Sequence, residues 1–155
     1  MTFQIHALPS EPFSKFFAMS DETLSKLNAK REIVQSCPGT PCRVSLEDAR
    51  NGETVVLVNY EHLSVASPYK SSHAIFVREG VNQAHPLPDT VPAVFNNRLI
   101  SVRIFNADHL MIDADVVDGS TLSTAIELAF KNDDVAYIHL HYAKPGCFAA
   151  SVTRQ

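Results

Sequence analysis

The stretch Val135-Ala-Tyr-Ile-His-Leu-His-Tyr142 decides how this chain is read. Side chains along a strand alternate between faces, so Ala136, Ile138, Leu140 and Tyr142 share one side and Tyr137, His139 and His141 the other. The first side is aliphatic and belongs against a core. The second sets two imidazoles side by side, about 6.5–7 Å apart between Cα atoms. A strand with one apolar and one polar face is the unit of an antiparallel sheet.

Working outward, Lys144-Pro-Gly146 turns the chain into a partner strand, Cys147 to Val152. Upstream, Leu99 to Asn106 repeats the two-faced pattern, with Ile100, Val102 and Ile104 on one side and Ser101 and Arg103 on the other. If these strands are neighbours, Arg103 and the two histidines line one concavity. Asn106-Ala-Asp-His109 reads as a hairpin loop into a strand from Leu110 to Val117. Thr54 to Glu61 and His73 to Arg78 are strands by their β-branched content, and Phe3 to Leu8 is a short opening strand. A regular strand puts His73 and Arg78 on opposite faces, so only one of them can join the concavity without a bulge.

Two helices are expected. Ser20 caps one running to Leu27, with acids in its first turn, and Ser120 caps another from Thr121 to about Lys131. In the second, Leu122, Ala125, Ile126 and Ala129 form an apolar stripe at helical spacing, which belongs to the core. Strands following strands with few helices predict an α+β fold: a mainly antiparallel twisted sheet with two or three helices packed on one face. Without repeats or long linkers, residues 1–155 read as a single domain.

A chain of 155 residues with 45% hydrophobic content buries enough surface to need no disulfide staples. Its 13 basic residues are scattered singly against 17 acidic ones, which argues against a nucleic-acid-binding stripe. The longest aliphatic run, Val55 to Val58, is far from a membrane span, and nothing marks a self-association surface. The opening MTFQIHALPSEP has neither the cationic nor the apolar region of a secretory leader, so a cytoplasmic location is expected. Three cysteines, an odd number, suit a reducing compartment, although a Cys37–Cys42 bridge is geometrically open. Cys37-Pro-Gly-Thr-Pro-Cys42 otherwise reads as a rigid turn with buried thiols.

The chemistry on offer is threefold. His139-x-His141 has the spacing at which two imidazoles share one Zn²⁺ or Fe²⁺ ion, given a third ligand from His73, His62 or Cys147. The alternative is a pair of partly exposed surface histidines. Cys147 beside an imidazole such as His141 can be a nucleophilic thiolate, or else a small buried hydrophobe. Arg103 and Arg78, with Tyr69 or Tyr137 as hydroxyl donors, can bind a small carboxylate or phosphate. Asp113, Asp115 and Asp118 lack the loop of a calcium site and read as solvated edge charges. There is no Gly-x-Gly-x-x-Gly, Walker or His-Glu-x-x-His motif.

Taken together, Pro41-Cys-Arg-Val-Ser-Leu-Glu-Asp-Ala49, Gly52-Glu, Asn59-Tyr-Glu-His62, Pro68 to Glu79, Val102-Arg103, His139-x-His141 and Gly146-Cys-Phe-Ala-Ala150 resemble the bacterial DUF1203 family. The resemblance spans nearly the whole chain and implies a bacterial, stand-alone cytoplasmic domain. The family is one of unknown function, so it supplies no catalytic residues. The residues themselves point to a small-molecule enzyme acting on an anionic substrate in a His/Arg-lined pocket, with metal assistance. The alternative is a non-catalytic module binding a small anion or a protein partner.

Overall fold

A computed structural model describes residues 2–155. Eight strands form two antiparallel sheets. The strands are β1 (Phe3–His6), β2 (Ala29–Ile33), β3 (Thr54–Leu63), β4 (Ser71–Arg78), β5 (Leu99–Phe105), β6 (Met111–Asp118), β7 (Tyr137–Tyr142) and β8 (Phe148–Arg154). The larger sheet has the order β1-β8-β7-β5-β6 and the smaller β2-β3-β4. The α+β class is thus present, but the strands divide between two sheets where the sequence suggests one. Alternation of side chains reports which face a residue occupies and not which sheet its strand joins.

The aliphatic face of β7 behaves as its period demands. Ile138, Leu140 and Tyr142 stand opposite Ile104, Val102 and Ile100 of β5, and Ile138 and Leu140 opposite Val152 and Ala150 of β8. Helix α3 (Leu122–Ala129) closes this core with Leu122 and Ile126, and Phe130 follows from the helix end. The smaller sheet has its own core of Val56, Val58, Ile75 and Val77. Phe13 of α1 (Glu11–Ser14) and Leu24 of α2 (Asp21–Lys26) pack into it. The helices therefore serve different sheets instead of sharing one face.

Local signals account for most boundaries. Ser20 adopts extended backbone and its Oγ accepts from the Thr23 N–H, starting α2 as its sequence indicates. Before α3 the capping differs from expectation: Asp118, not Ser120, accepts the first N–H, at 2.9 Å, through a 3₁₀ turn over Gly119–Thr121. Gly119 is required there, because a Cβ would lie 1.9 Å from the Phe95 carbonyl oxygen. The predicted hairpin joins β5 to β6, and β6 is the outer strand of its sheet. Asp113 and Asp115 lie exposed on that edge, each carboxylate accepting the N–H of the residue that follows it, Ala114 or Val116.

Cys37, Cys42 and Cys147 are all free thiols, and Cys37 is exposed rather than buried. No helix among the described residues is long and apolar enough to cross a membrane.

Candidate metal and anion site

Register places the polar residues of the larger sheet together. Arg103 lies opposite His139 and Ser101 opposite His141, so these four share the face away from α3, as the two-faced strands imply. That face is not open to water. His139 is 6% and His141 1% exposed, which overturns the alternative of two surface histidines. Two side chains of the smaller sheet meet it there, His62 of β3 and His73 of β4.

Three side-chain nitrogens, one each from His62, His73 and His141, lie within 4.8 Å of one another. Each comes from a different strand, and two local irregularities bring them together. In β3 the register shifts between Tyr60 and Leu63, so that Glu61 and His62 together span the place of one residue, Ser72, on β4. In β8 a second shift sets Phe148, not Ala149, opposite His141. Bulges re-aim side chains in this way at functional sites. The His62 ring then lies parallel to Phe148 at 5.0 Å and to His73 at 4.9 Å, and His141 meets it edge-on at 4.9 Å.

The hydrogen bonds fix which nitrogens are free. His141 Nδ1 donates to the Gly146 carbonyl at 3.0 Å, so its proton sits on Nδ1 and Nε2 carries the lone pair. That Nε2 is buried with no partner. A backbone carbonyl holding one imidazole nitrogen while the other faces inward is the usual support of a metal-ligating histidine. His62 Nε2 and His73 Nδ1 lie 2.9 Å apart. Two nitrogens on one tetrahedral Zn²⁺, at ~2.0–2.1 Å each, are separated by about 3.3 Å, so only small adjustments are needed to hold an ion. His62 Nδ1 and His139 Nδ1 are also buried and unpartnered.

Burial dominates the electrostatics. It pushes His62 and His141 down to about 3 and His139 to about 4, and lowers His73; the Arg103 charge adds to the effect on all four. At neutral pH these imidazoles are uncharged, the form that binds metal. Arg103 donates only to Ser101 Oγ and, among the described residues, makes no ion pair. Arg43, 2% exposed, also lacks a carboxylate: it donates to the Phe148 and Pro41 carbonyls and to Cys147 Sγ, and lies over the Tyr142 ring. Two cations without acids beside neutral histidines make a site that attracts anions.

A cleft of about 570 Å³ adjoins the cluster, with His73, Arg43 and Cys147 in its lining. The other sequence-based candidates lie differently. Tyr137 stacks on Phe105 and pairs its hydroxyl with His109 Nδ1, and Tyr69 meets Phe105 edge-on at the surface. β4 pairs regularly from His73 to Arg78, so His73 joins the site and Arg78 does not. The Arg78 guanidinium is taken by Glu53, Glu47 and Ser45. His139 borders the three-histidine group, its ring 5.6 Å from His62. Arg43 escapes sequence reasoning, because a single arginine in a turn carries no pattern that announces burial.

No curated relative and no solved structure matches the chain. A family model does, over residues 39–154, a span containing every histidine, arginine and cysteine of the site. The chain therefore belongs to the family described as protein of unknown function, DUF1203.

Proposed function

We propose that the protein is a metal-assisted small-molecule enzyme acting on an anionic substrate. His62, His73 and His141 hold a divalent ion, Zn²⁺ or Fe²⁺, and leave it at least one open position. The observation that carries this reading is the convergence of three neutral imidazoles, one of them with an orphaned, fully buried Nε2. Bound there, a divalent ion would act as a Lewis acid on a substrate oxygen or lower the pKa of a water. Arg103 supplies the counter-charge for the substrate, and His139, neutral and unpaired at Nδ1, is the proton acceptor. Cys147 holds its sulfur against Arg43 and lines the approach.

A second reading, a module that holds a small anion without turnover, is favoured by one feature: among the described residues no carboxylate pairs with these cations. Elemental analysis of untagged protein purified without chelator separates the two. Near-stoichiometric zinc or iron, lost in His62→Ala and His141→Ala variants that retain their circular dichroism, is the expected result. No metal after reconstitution with excess Zn²⁺ and Fe²⁺ would overturn the metal centre and leave the anion-binding reading.

A further inference from the structure

The cleft beside the histidines differs in character from the centre it adjoins. Its walls are hydrocarbon: Leu57 and Phe76, cross-strand partners on β3 and β4, form one side with Ala74, and Leu99 of β5 comes from the other sheet. Leu99 is 44% exposed, an apolar side chain left uncovered at the cleft. The volume, about 570 Å³, falls within the range of roughly 300–1,000 Å³ seen for small-molecule sites. His73 belongs both to this lining and to the three-histidine group, so an occupant of the cleft reaches the centre at that end.

Charge restricts the occupant further. Arg43 and Lys144 line the cleft without ion pairs among the described residues, which favours a negative head. Asp118 is also in the lining, which disfavours a second negative charge along the body. Arg43 already donates to two carbonyls and a sulfur, so it contributes field more than a free fork for phosphate.

From this we infer that the substrate class is a small monocarboxylate with a hydrocarbon or aromatic body. Its head turns toward the histidine end and its body lies on Leu57, Phe76 and Leu99. The inference rests on the proposed metal centre for the fate of the head group, but the body site stands on the cleft alone.

Cys147 provides the readout, because it lines the cleft, whereas Cys37 is exposed and is not part of that lining. Pulsed alkylation with iodoacetamide, followed by peptide mass spectrometry, is run on the full chain in zinc-loaded and metal-free forms. Octanoate, at about ten times its dissociation constant, is expected to slow Cys147 alkylation about tenfold and leave Cys37 unchanged. Acetate and octylamine at the same concentration should give no protection. Ala74→Glu, at an exposed wall position, should abolish the octanoate effect by placing like charge on the cleft.

Equal protection by acetate or by octylamine, or none by octanoate, would overturn the inference. Zinc retained without octanoate protection sinks the cleft reading alone. Protection in a protein that retains no zinc supports the cleft and removes the metal centre.

Discussion

Acid should unfold this protein through its histidines before its carboxylates titrate. His139 and His141 are buried and held down to about 4 and about 3, against about 6.5 in an unfolded chain. Between those values the unfolded state binds protons that the folded state refuses, so stability is complete above pH 6.5 and falls as pH drops toward the folded values. From pH 7.5 to 5 each such histidine removes about 2 kcal/mol, and the two together about 4, a large share of the 5–15 kcal/mol typical of a domain. His62 and His73 act in the same direction. Asp48 and Glu53, lowered by their partners Arg98 and Arg78, lose stabilising charge mainly below pH 5 and so leave the window clear. Urea titrations of chelator-treated protein between pH 7.5 and 5 measure the linkage. A slope of at least about two protons is expected between pH 6 and 5, with His62 and His73 adding to the share of His139 and His141, and His139→Phe should lower it by about one. A wild-type slope below about half a proton would refute the burial argument.

Three further outcomes follow from the packing. Gly119→Ala should cost more than about 4 kcal/mol, because the new Cβ meets the Phe95 carbonyl at 1.9 Å; a midpoint within 1 kcal/mol of wild type, on the order of measurement scatter, would contradict this. Arg43→Met strands the buried Phe148 and Pro41 carbonyls and should cost about 2–6 kcal/mol by urea midpoint, with Lys restoring less than half. Arg78→Met should lower stability by about 1–3 kcal/mol and leave bound metal unchanged. Metal loss in a folded Arg78 variant would return that residue to the site.

The central strands were legible because their faces differ chemically. Period-two alternation puts His139 and His141 on the polar face of one strand and Arg103 on that of another, and the β5–β7 pairing makes these one surface, with Arg103 opposite His139. The same pattern is silent about what covers that surface, and here His62 and His73 of the second sheet cover it. His62 depends on a bulge, an insertion that a strict alternation cannot announce. β2, with Lys30, Arg31 and Glu32 in five residues, is polar enough to hide from a hydrophobic reading and is defined by its pairing with β3. Arg43 is a tertiary contact from loop to β8, visible only once Phe148 and Cys147 are in place.

Asp113 and Asp115 bear on how the protein behaves when crowded with its own copies. β6 ends the larger sheet, and Ile112, Ala114 and Val116 run along it exposed, a strand that another chain could extend. The two aspartates occupy the Ala114 and Val116 donors that an incoming strand would need and set negative charge along the seam. Sheet growth therefore stops at this edge by self-capping, with no lid or neighbour required.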